Sequence, residues 1–291
     1  MTNNPRNKLK DWLELSKIKI MIPVSLTGFT GYFAYDPHFS LRIFFVSLGI
    51  FLIAISASVL NQIQEVELDS KMPRTCHRPL PAQKIKLHQA TVFFIFNLIA
   101  GSTVLYYAGN LNAALIGLIT LVWYNGIYTY SKRITAFAVV PGALTGALVP
   151  LIGWVAAGGG LLEKPIIFIE FLIFTGQIPH FWLLILRYGE EYKLAGLPSL
   201  SAIFNQRQIK RLTFIWVVSS VFAGLLLCYF EIIQSPLINV ILVVVSIYTI
   251  WQFFDLLKTR VINNNYKRYS IFLDTYFLLI LLLLISDRLI S

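Results

Sequence analysis

Nine apolar runs, each close to the length that crosses a lipid bilayer, make up most of this 291-residue chain. A helix needs about 20 mostly apolar residues to span the hydrocarbon core, so the runs predict an all-α integral membrane protein. Only 13% of the residues are charged, against about a quarter in soluble domains. We predict membrane-spanning helices over residues 18–35, 42–60, 90–108, 111–130, 136–157, 165–186, 212–231, 237–256 and 269–286.

The basic residues lie in alternate loops between these runs. With nine spans, every Lys and Arg except Arg42, Lys164 and Arg288 falls on the side of the N-terminus. Basic residues concentrate on the cytoplasmic side of membrane proteins, so we expect a cytoplasmic N-terminus in a bacterial or archaeal cell (inner) membrane. The net charge of +10 then serves orientation, and we expect no nucleic-acid partner.

The polar, basic segment 1–17 precedes the first apolar run, and no small-residue cleavage site follows it. We therefore do not expect a removable signal peptide. Residues 1–291 are expected to form a single transmembrane domain. The fifth run is rich in Gly and Pro, which predicts a kinked or closely packed helix.

Acidic residues follow the second run directly. If its helix continues, Asn61, Glu65 and Asp69 share one face, because residues four apart are neighbours on a helix. Two carboxylates and an amide oxygen suit Mg²⁺, which takes one or two carboxylates together with substrate phosphate oxygens. Arg74 and Arg78 follow, and the guanidinium fork binds phosphate. A metal–diphosphate site is favoured over a charged loop that serves orientation alone.

A second polar group ends the sixth run. Glu190 and Glu191 are predicted on the same side of the membrane as Asp69 and could hold a second Mg²⁺. His180 lies inside the apolar run, where ionisable residues are costly. It is either a haem contact, a proton shuttle, or a buried histidine bonded to a neighbouring helix. Asp274, inside the ninth run, is a further intramembrane charge.

Tyr128 and Lys132 close the fourth run, four residues apart on one helix face. Lys132 could neutralise charge on a leaving group, and Tyr128 could bond a phosphate oxygen or face a carbocation. The alternative is an ordinary belt of Tyr and Lys at the membrane interface.

Together these motifs resemble the UbiA superfamily of intramembrane prenyltransferases. The resemblance covers about residues 12–290. It rests on NQIQEVELDSKMPRTCHRPLP at 61–81, YTYSKRITAF at 128–137, GALTGALVPLIGW at 142–154 and QIPHFWLLILRYGEEYKLAGLPSL at 177–200. It implies a nine-helix bundle and Mg²⁺-dependent transfer of an isoprenoid from its diphosphate. The last segment resembles the branch that prenylates haem. Glu190-Glu191 stands where that branch usually has two Asp residues, and Ile18 stands where it has Pro.

The resemblance implies farnesyl diphosphate and haem b as substrates, with haem O as product after water adds to the alkylated vinyl group. Two Mg²⁺ ions would bridge the diphosphate, held by Asn61, Glu65, Asp69, Glu190 and Glu191. The diphosphate would be bound by Arg74, Arg78, Lys132 and Lys193. Tyr128 would act beside them, and His180 would be the haem contact. Partners would be the lipid bilayer and a haem A synthase or cytochrome oxidase assembly proteins.

Three alternatives stay open at this point. A quinone precursor or a chlorophyllide could replace haem as the acceptor. A transporter would also have many spans, but it places its polar groups near the midplane, whereas here they gather at one interface. A haem-handling assembly factor without catalysis would bind haem without needing the acidic clusters.

Overall fold

The computed structural model describes residues 5–258 and 266–290, and these ranges fold mainly into α-helices. Two segments, Leu105–Gly109 and Trp123–Tyr128, are π-helical, and Asp255–Leu257 forms a 3₁₀ turn. The α-helices are α1 (Pro5–Leu15), α2 (Ile18–Tyr35), α3 (Leu41–Gln64), α4 (Val66–Lys71), α5 (Leu87–Val104), α6 (Leu111–Val122), α7 (Thr129–Ile134), α8 (Val139–Ala157), α9 (Lys164–Leu194), α10 (Leu200–Ile203), α11 (Gln206–Tyr229), α12 (Pro236–Phe254) and α13 (Tyr266–Ile290).

Each predicted span coincides with a helix. Within the two described ranges, eight helices are long and apolar enough to cross a membrane, so the chain is a multi-pass integral membrane protein. Helix α2, the first predicted span, has 18 residues and is not one of the eight. The count of nine spans and the cytoplasmic N-terminus therefore stay predictions.

The end of the sixth span differs from the sequence prediction. The charged segment from Arg187 onward was predicted as a loop, but α9 continues to Leu194. Its residues include Glu, Lys and Leu, which form helices well, so the helix persists beyond the apolar run. Gly196, at φ 72°, follows the helix end in the left-handed conformation that glycine adopts without strain.

Helices α2 and α8 pack backbone to backbone. A Cβ atom at Gly153 would overlap the carbonyl oxygen of Gly28, and one at Gly31 would overlap the carbonyl of Pro150. Such close approach through small residues is typical of helix pairs in membranes. The close packing predicted for the Gly-rich fifth run is confirmed, and it holds two walls of the cavity described below at a fixed separation.

The other end of the bundle is fixed by polar side chains that satisfy free backbone groups. Arg42 donates to the carbonyl oxygens of Ala108 and Ala156, at 2.8 and 2.9 Å. The buried carboxylate of Asp287 accepts the backbone N–H of Ser235, which precedes α12, at 2.8 Å. These bonds connect five helical segments at this end of the bundle. The acidic residues after α3 lie at the opposite end.

Candidate active site

A cavity of about 400 Å³ lies between α2, α3, α8 and α9. One end is polar, and its lining includes Asn61, Glu65, Asp69, Arg78 and Lys132. The remainder is mainly apolar, with side chains such as Ile20, Met21, Val24, Ile50, Ile53 and Val149. A pocket of this composition suits a molecule with a charged head and a large apolar body.

Three of the five predicted metal ligands, Asn61, Glu65 and Asp69, line this cavity, whereas Glu190 and Glu191 do not. The helix that carries the three is interrupted. Helix α3 ends before Glu65, whose φ and ψ of −107° and 11° are not helical, and α4 begins after it. The prediction of one continuous helical stripe is therefore wrong. Asn61, Glu65 and Asp69 are nonetheless almost fully buried, at 2, 9 and 2% exposure.

Each buried carboxylate is paired with a cation. Asp69 Oδ2 accepts from Arg78 at 2.7 Å, and Glu65 Oε1 lies 2.5 Å from Lys132 Nζ. Thr75, fully buried, donates its hydroxyl to the backbone carbonyl of Asp69 at 2.9 Å and so folds the loop back towards α4. The two carboxylate–cation pairs are needed because an unpaired charge buried in the protein would be costly in free energy.

The side-chain amide of Asn61 is fixed by two hydrogen bonds that its nitrogen donates. Nδ2 donates to Glu65 Oε2 at 2.9 Å and to Thr129 Oγ1 at 3.1 Å, an assignment made from the hydrogen-bond network. Among the described residues no hydrogen bond reaches the amide oxygen, so it can face an ion. The described residues hold no group of three or more Asp, Glu, His or Cys side chains suited to a metal. Mg²⁺ bound here would therefore need phosphate oxygens and water to complete its shell.

An aromatic wall faces this polar group. The π-helical turn Trp123–Tyr128 ends at Tyr128, whose ring centroid lies 5.9 Å from that of Phe181 and 4.9 Å from Lys132 Nζ. Gly142 on α8 leaves room for the ring, since a Cβ there would meet Tyr128 Cε2 at 2.7 Å. Aromatic faces stabilise positive charge, so the wall suits a carbocation formed beside the leaving group.

The second acidic segment meets the first at the same end of the bundle. Glu191 Oε2 accepts the backbone N–H of Arg74 at 3.2 Å. Glu190 is directed outward, with 84% of its side chain exposed, and pairs with Lys193 at 2.8 Å. Neither Glu190 nor Lys193 lines the cavity, whereas Arg74 and Tyr192 do. The metal and diphosphate roles of Glu190, Glu191 and Lys193 stay predictions.

Lys17 is a cavity residue to which sequence reasoning gave no catalytic role. It has φ 46°, a left-handed conformation uncommon outside glycine and often found at functional sites. The preceding turn is held by Gln62, which donates to the carbonyl of Leu15 at 2.6 Å. Burial, followed by the nearby charges of Arg78 and Lys132, lowers the pKa of Lys17 to about 7. No signal in the sequence around Lys17 sets it apart from the neighbouring basic residues.

His180 lines the apolar part of the cavity. Its Nδ1 lies 2.9 Å from the Asp274 carboxylate on α13. The ring therefore lies beside a carboxylate of a neighbouring helix and also forms part of the cavity wall, with a third of its side chain exposed. Its role as a haem contact stays a prediction.

Comparison with known proteins agrees with this geometry. The model of the UbiA prenyltransferase family matches residues 21–281. The protoheme IX farnesyltransferase of Oleidesulfovibrio alaskensis is 34% identical over 243 residues, which cover 84% of each chain. That of Geobacter sulfurreducens is 40% identical over 150 residues, which cover 52% of this chain and 55% of the relative.

Solved structures share the fold. A structure of digeranylgeranylglyceryl phosphate synthase superposes with a TM-score of 0.77 at 23% identity, covering 98% of this chain and all of that one. A UbiA homologue from Archaeoglobus fulgidus bound to GPP and Mg²⁺ gives a TM-score of 0.67 at 16% identity, covering 93 and 99%. The family match over most of the chain establishes membership: this protein belongs to the UbiA prenyltransferase family and is a membrane prenyltransferase.

Proposed function

We propose that the protein transfers the farnesyl group of farnesyl diphosphate to a vinyl group of haem b and, with water, yields haem O. The observation that carries this is the single cavity in which buried carboxylates and cations occupy one end and apolar and aromatic residues the rest. The named activity of relatives that match most of the chain supports haem as the acceptor. Haem b is a substrate here and is not retained as a cofactor.

Asn61, Glu65 and Asp69 would hold Mg²⁺ through one amide and two carboxylate groups. The metal supplies neutralisation of the charge that develops on the departing diphosphate. Glu190 and Glu191 would hold a second Mg²⁺ ion on the diphosphate. A relative of the same fold was solved with a prenyl diphosphate and Mg²⁺, which supports a diphosphate as the common substrate head.

The cationic side chains bind the diphosphate. Arg78 and Lys132 pair with the carboxylates of the site and would turn to phosphate oxygens. Arg74 and Lys17 also line the cavity. Lys193 would also bind the diphosphate, although it pairs with Glu190 and does not line the cavity before substrate binds. Charge-assisted bonds of this kind strengthen as negative charge grows on the leaving group.

The carbon chemistry balances without a redox step. The bond between C1 and oxygen of farnesyl diphosphate breaks, and its electron pair leaves with the diphosphate. The vinyl group supplies the electron pair for the new bond to C1, beside the ring of Tyr128. Water captures the resulting cation next to the porphyrin and then loses a proton, leaving a hydroxyl group. The apolar cavity excludes bulk water from the first cation.

The test is turnover of purified protein in lipid nanodiscs with farnesyl diphosphate, haem b and Mg²⁺, with haem O detected by mass spectrometry. Asp69→Asn should lower the rate by about 100-fold, which is the usual loss on removing one group that stabilises charge in the transition state. Glu67→Gln is the matched control, because Glu67 is exposed on the same helix and does not line the cavity. Absence of haem O from the unmodified protein, or equal rates in the two variants, would contradict the proposal. Product from a quinone precursor alone would favour that other acceptor.

We also propose that the protein lies in the cell inner membrane with the site facing the cytoplasm, where a haem A synthase or oxidase assembly proteins would receive haem O. The chain has two cysteines, of which Cys76 lies in the loop at the cavity end and Cys228 near the end of α11. In a Cys228→Ser variant, the remaining Cys76 should react with a membrane-impermeant maleimide in inverted vesicles and not in intact cells. Reaction in intact cells only would show that the site faces the outside.

A further inference from the structure

One pair of polar side chains inside the membrane, His180 and Asp274, has no role in binding the diphosphate. Asp274 lies within α13, one of the candidate spans, and 59% of its side chain is exposed. A carboxylate in such a segment is costly and is retained where it has a partner and a function. Its partner is His180 on α9, with 2.9 Å between carboxylate oxygen and Nδ1. Helix α13 packs against both α9 and α2, two walls of the cavity.

The contact between Asp274 and Nδ1 of His180 leaves the other ring nitrogen, Nε2, available to bind a ligand. A carboxylate beside Nδ1 favours the tautomer with the proton on Nδ1, because that N–H is attracted to the negative charge. Nε2 then carries the lone pair. Within the described part of the chain no hydrogen bond reaches Nε2 of His180, and the ring lines the cavity. A carboxylate on the far nitrogen of a histidine is the usual companion of a metal-ligating imidazole.

The position along α9 fits a group held deeper than the diphosphate. His180 precedes Glu190 by ten residues, which is about 15 Å along a helix. Gln177, Phe181 and Leu184, on the same face, also line the cavity. Haem placed with a vinyl group beside the Tyr128 ring would extend its iron and the rest of its ring into this apolar part.

We propose that Asp274 is a positioning residue that orients His180 so that Nε2 ligates the iron of haem b during prenyl transfer. The inference rests on the proposed function, since it takes haem b as the acceptor. Iron ligation would fix the porphyrin in the plane that brings its vinyl group to farnesyl C1. Asp274 touches neither substrate and acts through the imidazole alone.

The experiment is an absorption titration of the protein in nanodiscs with haem b, with metal-free protoporphyrin IX as the matched ligand that lacks iron. Asp274→Asn should weaken haem binding about 10- to 100-fold, the usual effect of losing the carboxylate behind a ligating histidine, and should shift the Soret band. Asp274→Glu should restore part of both. His180→Ala should lose the ligated spectrum and regain it with added imidazole. Protoporphyrin IX should bind all variants alike.

Asp255→Asn is the control variant, because Asp255 is an exposed carboxylate paired with Lys258 at the end of α12 and remote from the cavity lining. It should titrate like the unmodified protein. If the unmodified protein makes haem O and the haem spectrum is unchanged in His180→Ala, the ligation is overturned while the function stands. If Asp274→Asn weakens haem and protoporphyrin IX equally, the pair is only a tie between helices, and the inference fails. If the unmodified protein neither binds haem nor forms haem O, both proposals fall.

Discussion

Adding one methyl group at Gly142 should displace the Tyr128 ring without substituting any charged residue. The new Cβ would lie 2.7 Å from Tyr128 Cε2 and 3.0 Å from Cδ2, whereas carbon atoms rest about 3.5–4.0 Å apart. The ring must therefore move by about 1 Å. Tyr124, Phe181 and Lys132 surround it at 5.4, 5.9 and 4.9 Å, so it cannot move without disturbing them. A displacement of about 1 Å at a reacting centre costs on the order of 100-fold in rate, or about 2.7 kcal/mol.

The assay compares kcat/KM for prenyl transfer in Gly142→Ala and Gly126→Ala, with the thermal unfolding midpoint measured for each. Gly126 makes the same chemical change in the same region, but a Cβ there would find its nearest neighbour at an ordinary 3.9 Å. We expect the control to retain its rate and Gly142→Ala to lose about 100-fold. Rates within twofold of each other in two folded variants would refute the assignment of Tyr128 to the reacting centre.

Three further results are expected. Burial mainly sets the pKa of Lys17 near 7, so the side chain is charged below that pH and the affinity for pyrophosphate should fall as pH rises through 7. In Lys17→Met this part of the pH dependence should vanish. An unchanged pH profile in the variant would count against a contact between Lys17 and the diphosphate. Glu190→Gln should alter the rate less than Glu191→Gln, because Glu190 is mostly exposed while Glu191 bonds the first loop; the opposite ranking of kcat/KM would show that Glu190 turns inward with substrate. Gly153→Ala should unfold at lower temperature than any of these variants, since its Cβ would overlap the Gly28 carbonyl, and an unchanged midpoint would mean that the two helices can separate.

Much of the fold could be read from the sequence, because bilayer thickness sets helix length. Each apolar run of about 20 residues that was predicted to span the membrane forms a helix. The predicted grouping of Asn61, Glu65 and Asp69 also holds, because the three side chains line one cavity. The break at Glu65 was not predictable, since no Gly or Pro marks it and the residues around it favour helix. It coincides with the contact between Glu65 and Lys132, which lies 67 positions along the chain.

Long-range partners explain the remaining gaps. Nothing near His180 in the sequence points to Asp274, and nothing near Lys17 distinguishes it from its basic neighbours. Both gain meaning only when separate helices form the walls of one cavity. Glu190 shows the reverse case, since its place in a motif suggested a metal ligand while the helix directs it outward towards Lys193. Motif spacing identifies the segment that carries chemistry, and helix rotation decides which residue of the segment reaches the site.

The ion pairs of the site can be tested as a unit through a double-mutant cycle on Glu65 and Lys132. Only 11 and 19% of these side chains are exposed, so Lys132→Met leaves a buried carboxylate without its cation and should cost about 3–5 kcal/mol of stability. Combining it with Glu65→Gln removes that stranded charge and should recover most of the loss, while prenyl transfer stays absent. The same cycle on Glu190 and Lys193, which are exposed, should give a coupling of about 0–1 kcal/mol. Strictly additive losses for Glu65 and Lys132 would mean that the two do not neutralise each other before substrate binds.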